Sequence, residues 1–260
     1  MKAQLDILKE DKNIGTREAV LELKDLNKSF ENNHVLKHFN MKLYKGENLV
    51  IMGKSGSGKS VMIKCLVGLM EADSGQITVM HKDITKLDQA ALDVLRADIG
   101  FLFQGSALYD SMTVRENLEF PLRRHSEKLS KKLDRESLVI EALENVGLAH
   151  TIDLMPAELS GGMKRRIALA RTLILRPKII LYDEPTSGLD PITAKEIIIL
   201  MQDVQKKYNT SSLIITHDVD CARVIADRMI LLIEGTNYAE GTFKELSLSD
   251  DPKIKAFFKQ

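Results

Sequence analysis

An α/β fold built around a mainly parallel β-sheet is predicted by two features of the sequence. Short apolar runs typical of buried strands occur at Leu49–Met52, Ile179–Tyr182 and Leu213–Thr216, and polar loop residues follow each of them. Helical patterns follow these loops, so strands and helices alternate as they do in sheets covered by helices. A helix-rich stretch at about residues 88–172 interrupts the alternation, and we predict that it is an inserted subdomain.

The individual elements follow from apolar spacing and from residues that begin or end helices. Thr113 and Glu116 have the spacing of a capping box, Gly147 ends a helix, and Asp190-Pro191 is typical of a helix N-terminus. The predicted strands are Val20–Leu23, Val35–Leu43, Leu49–Met52, Ile179–Tyr182, Leu213–Thr216 and Met229–Ile233. The predicted helices are Val61–Leu69, Thr113–Pro121, Leu133–Val146, Met163–Leu175, Pro191–Met201 and Ala222–Ala226.

Composition limits the classes of function. The 260 residues carry 37 basic and 37 acidic side chains, and this balance argues against a general nucleic-acid binder. The longest apolar runs have five residues, whereas a transmembrane helix needs roughly 20. Met1–Asp6 has no apolar core of a signal peptide, and the distant Cys65 and Cys221 suggest reduced thiols. We therefore expect a cytoplasmic protein with no membrane span of its own.

A phosphate-binding loop is the most specific motif. The eight residues that follow the strand at Leu49–Met52 fit G-x-x-x-x-G-K-[ST] at every fixed position. Glycines let backbone N–H groups approach phosphate oxygens, the lysine neutralises phosphate charge, and the final serine can bind Mg²⁺. The expected nucleotide-binding residues are Gly53, Lys54, Ser55, Gly56, Ser57, Gly58, Lys59 and Ser60.

Polar side chains at three other strand ends are candidates for the same site. Asp183 and Glu184 end one apolar strand, where the first carboxylate would bind Mg²⁺ and the second would polarise the attacking water. His217 follows another strand and could reach the terminal phosphate. Gln104, after Phe101–Phe103, could contact Mg²⁺ and the water. From spacing alone, a structural role for Gln104 is equally open.

Leu159-Ser160-Gly161-Gly162-Met163 carries a family resemblance. Together with the phosphate loop, Gln104, the Asp183-Glu184 pair, Ser187–Asp190 and His217, in that order, it resembles the nucleotide-binding subunit of ABC transporters. The resemblance covers about residues 19–245. It implies a P-loop NTPase (RecA-like) core with an N-terminal antiparallel β subdomain and an inserted α-helical signature subdomain.

The resemblance also implies a mechanism. ABC ATPases bind ATP and Mg²⁺ between two head-to-tail subunits, so we expect a homodimer. Ser160, Gly161 and Gly162 would complete the phosphate site of the opposite subunit, and Asp190 would carry contacts across the dimer. Phe30 would stack on adenine, although a role in the core is also open. An integral membrane permease would complete the transporter.

A narrower resemblance concerns Met163, where the family most usually has glutamine. The segments Gln104–Arg123 and Leu159–Arg166 look like the ATPase subunit of Mla (maintenance of lipid asymmetry) phospholipid transporters, and Asp250–Pro252 and Phe257 look like its tail. A small regulatory subunit and a lipid-binding partner would then join the complex. The end of the chain at Gln260 argues against tail-mediated clasping of a second subunit.

These observations give a set of expectations about organisation and function. We expect an N-terminal tail at 1–18, an ATPase domain at 19–248 and a short C-terminal tail at 249–260. Leu108, Tyr109, Met112 and Leu118 would contribute either to a groove for the permease or to the helical core. The predicted function is phospholipid movement between bacterial membranes, powered at the cytoplasmic face of the inner membrane. Lipoprotein release or solute import is the alternative. A soluble ABC ATPase acting on DNA or ribosomes is disfavoured, because one motif set and no heptads are present.

Overall fold

A six-stranded sheet forms the centre of the molecule in a computed structural model, which describes residues 17–125 and 134–258. Its strand order is β10-β9-β3-β8-β7-β6, and every neighbouring pair is parallel except β10 and β9. The predicted mainly parallel sheet is therefore confirmed. Numbered along the chain, its strands are β3 (Asn48–Met52), β6 (Ile99–Leu102), β7 (Ile179–Asp183), β8 (Ser211–Thr216), β9 (Arg228–Ile233) and β10 (Thr236–Gly241).

The sheet is apolar on both faces because helices or a second sheet cover each of them. All five residues of β3 are buried. Leu49 and Ile51 point into one core with α1, while Val50 and Met52 point into a second core with α6 and α7. The helices on these two faces are α1 (Lys59–Leu66), α6 (Pro191–Tyr208) and α7 (Val219–Ile225).

An antiparallel sheet packs on the same side as α1 and has the order β2-β1-β4-β5. Leu21, Leu23 and Phe39 are fully or almost fully buried and join the core that contains α1. This arrangement confirms the antiparallel β subdomain. Its strands are β1 (Ala19–Phe30), β2 (Asn33–Tyr44), β4 (Ser74–Val79) and β5 (Lys82–Asp83).

The helical part differs from the predicted block at 88–172 in one respect. The block contains β6, which pairs with β7 and so belongs to the central sheet. Only the helices after β6 share a separate apolar core, which includes Val114, Leu118, Val139 and Ile167. The helices in this part of the chain are α2 (Gln89–Arg96), α3 (Val114–Arg124), α4 (Arg135–Glu144) and α5 (Gly161–Leu173).

The prediction that a helix ends at Pro121 is wrong. Pro121 lies inside α3, which continues to Arg124. A proline removes a single backbone N–H from a helix, and here the buried Leu118 and Leu122 hold both sides of it in the core. The capping box is confirmed: the Glu116 N–H donates to the Thr113 hydroxyl, and the Thr113 N–H donates to the Glu116 carboxylate.

The C-terminal residues form helices rather than a simple tail. After α8 (Phe243–Ser247), α9 (Pro252–Phe258) packs back on the body through the buried Ile254. The predicted tail at 1–18 lies almost wholly outside the described residues. No helix within the described ranges is long and apolar enough to span a membrane. Both cysteines are unpaired and buried.

Candidate active site

The carboxyl ends of β3, β8, β7 and β6 meet at one edge of the central sheet because these neighbouring strands run parallel. A cavity of about 690 Å³ opens at this edge. It therefore gathers residues that are far apart in sequence. The predicted site residues that line it are Phe30, Gly53, Lys54, Ser55, Gly56, Gly58, Lys59, Ser60, Gln104, Asp183, Glu184 and His217.

The loop between β3 and α1 has the geometry of an anion cradle. Gly58 has a φ of 103°, and a Cβ at this position would lie 2.9 Å from the Val35 carbonyl oxygen. No side chain caps α1, so its first N–H groups are free to bind an anion. The Ser57 hydroxyl is buried and has no partner within the described part of the chain. Phosphate oxygens would satisfy these donors.

Lys59 is buried at the base of this loop, where its Nζ donates to the carbonyl oxygens of Gly53 at 2.6 Å and Lys54 at 2.9 Å. Burial lowers the pKa of Lys59, and the carboxylates of Glu184 and Asp183 oppose that shift. A phosphate group in the cavity would supply further compensating negative charge. The position of Lys59 therefore fits its predicted role of neutralising phosphate.

Glu184 and His217 form a contact pair. The Nδ1 atom of His217 lies 2.8 Å from a Glu184 carboxylate oxygen, and the Thr216 hydroxyl donates to the same oxygen at 3.4 Å. Glu184 is buried and has a φ of 50°, and its N–H donates to the Ile215 carbonyl on β8. This φ value is energetically costly for a residue with a side chain, and such strain often occurs where it positions a functional group. Here the strained residue lines the cavity. His217, which we expected to contact a terminal phosphate, is therefore bound to Glu184 through Nδ1.

The donor set suits a magnesium ion. Ser60, Gln104 and Asp183 line the cavity and offer hydroxyl, amide and carboxylate oxygens, which are the ligand types that Mg²⁺ prefers. No group of three His, Cys, Asp or Glu side chains that could hold a metal occurs in residues 17–125 and 134–258. A magnesium ion here would therefore also depend on water and phosphate oxygens, as it commonly does in nucleotide sites.

Five predicted site residues do not line this cavity: Ser57, whose buried hydroxyl lies in the phosphate loop itself, and four residues that are distant from that loop in the sequence. Ser160 caps α5 by accepting from the Met163 N–H, and Asp190 caps α6 through the N–H groups of Ile192 and Thr193. A Cβ added to Gly161 would have no atom within 4 Å, so this turn of helix is open. Ser160, Gly161, Gly162 and Asp190 therefore belong to another surface of the same chain.

A family model described as "ABC transporter" matches residues 36–187, which is more than half of the chain.

The chain belongs to the ABC transporter family. It is 38% identical to a protein of Mycobacterium leprae named as a probable ribonucleotide transport ATP-binding protein, over 91% of this chain and 68% of that one. It is 41% identical to a methionine import ATP-binding protein of Rhizobium johnstonii, over 86% of this chain but only 61% of the relative. The chain thus spans about two thirds of these relatives.

Solved structures agree with this family and fold. The dimeric ATP-binding cassette MJ0796, bound to ADP and phosphate, superposes with a TM-score of 0.77 at 32% identity, covering 86% of this chain and 98% of that one. The cbiO1 protein of Clostridium perfringens, part of an ABC transporter complex, gives 0.80 at 30% identity over 93% and 96%. As an ABC ATPase, the chain binds ATP with Mg²⁺ and couples ATP hydrolysis to transport.

The cavity at the sheet edge also has walls that the sequence analysis missed. Val35, Val61, Ala256 and Phe257 line it in addition to the predicted residues. Ile254 and Phe257 are three residues apart on α9, which is the one signal in the sequence that this helix packs on the body. No spacing rule indicates that it packs beside the phosphate loop.

Replacing Phe30 with alanine is expected to weaken ATP binding about tenfold, because stacking of a base on an aromatic ring contributes roughly 1–3 kcal/mol. The Phe30 ring is 44% exposed, borders the cavity and lies 5.6 Å from Lys28 Nζ. Calorimetric titration with ATP and with tripolyphosphate checks the prediction. The affinity for tripolyphosphate should not change, and an unchanged affinity for ATP would exclude the stacking role.

Replacing Asp183 with asparagine is expected to raise the melting temperature of the nucleotide-free chain. Burial and the Glu184 carboxylate raise the pKa of Asp183, so stability falls as the pH rises from the ordinary value of about 3.9 through the raised value. The full cost is therefore present at neutral pH and absent in the amide. Scanning calorimetry should show a gain of a few degrees at pH 7 that shrinks towards pH 4. A loss at pH 7 would contradict this electrostatic description.

Proposed function

We propose that this chain is the ATP-hydrolysing half of a head-to-tail homodimer that drives phospholipid movement between bacterial membranes from the cytoplasmic face of the inner membrane. The observation that carries the ATPase part is the single cavity in which the phosphate loop, Gln104, Asp183, Glu184 and His217 meet. The lipid part rests on the resemblance of Gln104–Arg123 and Leu159–Arg166 to Mla-type ATPases.

Each side chain in the cavity has a distinct proposed role. Backbone N–H groups of Gly53–Ser60 and the Lys59 ammonium bind the phosphates. Ser60, Gln104 and Asp183 would hold Mg²⁺, which would supply neutralisation of phosphate charge. Glu184 orients the attacking water and accepts its proton, while His217 fixes the Glu184 carboxylate through the 2.8 Å contact.

A second copy of the chain is proposed to complete each site. The N-terminus of α5 has Ser160 as its cap and open space at Gly161, and it is absent from the lining of its own cavity. A helix N-terminus binds anions through its free N–H groups and its positive end. In a head-to-tail pair, Ser160, Gly161 and Gly162 of one chain would therefore contact the phosphate bound by the other.

The permease is proposed to dock beside α3. Two adjoining grooves, of about 310 and 410 Å³, share Phe101, Phe120 and Pro121 in their walls. Tyr109 lines the larger groove, is 42% exposed and packs on Phe120 with ring centroids 4.9 Å apart. Leu118, a second candidate for this surface, is instead fully buried in the helical core. We propose that a short cytoplasmic helix of the permease fills the groove with an apolar face.

Replacing Phe120 with aspartate is expected to abolish co-purification with the permease, because a carboxylate would replace the aromatic ring that lines both grooves. ATP affinity should stay within about twofold, since Phe120 lies outside the ATP cavity. Pull-down from detergent-solubilised membranes and nucleotide titration check both parts. Leu248→Asp is the matched control, because Leu248 is 72% exposed and lies in neither groove. Undiminished recovery of the permease would place the docking surface elsewhere.

Solute import is the second candidate function, favoured by the 41% identity to a relative named for methionine import. Purification of the complex from native membranes, followed by mass spectrometry of its proteins and of the small molecules bound to them, separates the two. We expect a permease with bound phospholipid, together with a lipid-binding partner and a small regulatory subunit. A permease that holds an amino acid or another water-soluble solute would contradict the lipid proposal and leave the ATPase assignment intact.

A further inference from the structure

Arg165 is a buried cation that the proposed mechanism does not use. It lies on α5, one turn after Ser160, and is only 3% exposed. No carboxylate within the described ranges makes an ion pair with it, and its Nε atom has no hydrogen-bond acceptor there. A buried charge without a counter-charge is costly, so its position calls for a specific reason.

The partners of Arg165 are two carbonyl groups on loops of the active site. Its Nη1 atom donates to the Phe103 oxygen at 2.7 Å, and its Nη2 atom donates to the Ser187 oxygen at 3.4 Å. Phe103 directly precedes Gln104. Ser187 begins the run that ends at Asp190. One guanidinium therefore joins α5 to both loops, because its planar fork can donate in two directions.

The two loops also contact each other directly through Gln104. The Gln104 Nε2 atom donates to the Ser187 hydroxyl at 3.3 Å, while Gln104 lines the cavity. The Gln104 loop is conformationally costly in itself, because Ser106 and Ala107 have φ values of 63° and 49°. Such a loop keeps one position only when neighbouring groups hold it.

We propose that Arg165 is a positioning residue for ATP hydrolysis, which holds the Phe103 and Ser187 carbonyls together and thereby fixes the Gln104 amide at the ATP cavity. Arg165 itself does not line the cavity. It acts through Gln104, so this inference rests on the role proposed for that residue. Because α5 begins at the segment expected to face the second subunit, Arg165 also ties the Gln104 loop to the helix that this subunit would contact.

The test compares Arg165→Met with wild type in the full chain. Methionine fills much of the same space without donors, and apolar replacement of a buried charge need not destabilise a protein. We expect kcat to fall about 10- to 100-fold, because the Gln104 amide would no longer be held in place. KM for ATP should stay within about twofold. The melting temperature should not fall. Lysine keeps the charge but lacks the planar fork that donates to both carbonyl groups. Arg165→Lys should therefore recover part of kcat.

Arg166→Met is the matched control. Arg166 is the next residue of the same helix, but its guanidinium pairs with Glu196 at the surface. We expect kcat of this variant to remain within about twofold of wild type, because exposed ion pairs contribute little. Equal losses of kcat in both variants, or an unchanged kcat in folded Arg165→Met, would overturn the proposal. If Arg165→Met does not fold, Arg165→Gln replaces it, and failure of both to fold would show a structural role only.

A double-mutant cycle separates this inference from the proposed function. If Arg165 acts through Gln104, the double variant Arg165→Met/Gln104→Ala should be no slower than the slower single variant. Independent, multiplicative losses of kcat would overturn the positioning role and leave the ATPase assignment in place. Absence of Mg²⁺-dependent ATP hydrolysis in the wild-type chain would instead reject the proposed function itself.

Discussion

Glu184→Gln is expected to stop ATP turnover and leave ATP binding intact. The amide keeps the shape of the carboxylate and can still accept a hydrogen bond from His217, but it cannot take a proton from water. General-base catalysis typically contributes 10²- to 10⁴-fold, so we expect kcat to fall by at least about 100-fold. Hydrolysis of radiolabelled ATP and equilibrium binding of ATP measure the two parts separately.

The same variant should also accumulate as a dimer with two trapped ATP molecules. In wild type, hydrolysis would end the state in which ATP is held between the two chains. Without hydrolysis, this dimer should persist. Light scattering in the presence of Mg²⁺ and ATP detects this dimer. Glu144→Gln is the matched control, because Glu144 is an exposed residue on α4, outside the cavity. Wild-type turnover in Glu184→Gln would remove this residue from the mechanism.

Lys59→Ala is expected to weaken ATP binding itself. The ammonium is buried at the base of the loop, and Lys59 lines the cavity where phosphate is proposed to bind. Hydrogen bonds to charged groups contribute about 1.5–3 kcal/mol, so the dissociation constant should rise roughly 10- to 100-fold. Isothermal titration with ATP measures this change.

The control for Lys59→Ala must separate lost phosphate contacts from a collapsed loop, because Lys59 also binds the Gly53 and Lys54 carbonyls. Lys82→Ala removes an equal charge from β5 and should leave the affinity unchanged. A melting curve without nucleotide reports any loss of stability. An ATP affinity equal to that of wild type would show that the loop at Gly53–Ser60 does not bind phosphate.

The central sheet and the phosphate site could be predicted because their chemistry restricts the sequence. A strand buried on both faces requires an apolar run such as Leu49–Met52, and a backbone that wraps a phosphate requires glycines such as Gly58. Parallel strands then bring their carboxyl ends together, so Asp183 and His217 could be assigned to one site from their positions after strands. The family motifs then narrowed the class of nucleotide-binding protein to the ABC ATPases.

Other features depend on packing that no local pattern encodes. Pro121 is a helix breaker by propensity, but burial of Leu118 and Leu122 on either side keeps α3 continuous. The short helix α9 contributes Phe257 to the cavity through tertiary packing alone. In the sequence, Arg165 stands among three consecutive basic residues, Lys164–Arg166, and only the fold shows that it is buried and bound to two carbonyl groups.

In the proposed mechanism, a cavity on one chain hydrolyses ATP only when a second chain supplies its Ser160–Gly162 segment. Two defective chains can test it. Lys59→Ala damages the cavity and keeps the segment. Gly161→Asp keeps the cavity and adds a negative charge to the segment, at a position where a Cβ meets no atom within 4 Å. An acidic residue suits a helix N-terminus, so this variant should fold.

The decisive measurement is the ATPase rate of the two variants, alone and mixed in equal amounts. The head-to-tail arrangement predicts negligible hydrolysis by either variant alone. In the mixture, about half of the dimers would contain one copy of each variant, and each of these would have one complete site out of two. The rate should therefore recover to at most about a quarter of the wild-type rate. Wild-type hydrolysis by Gly161→Asp alone would contradict the head-to-tail mechanism, because the cavity would then need no second chain.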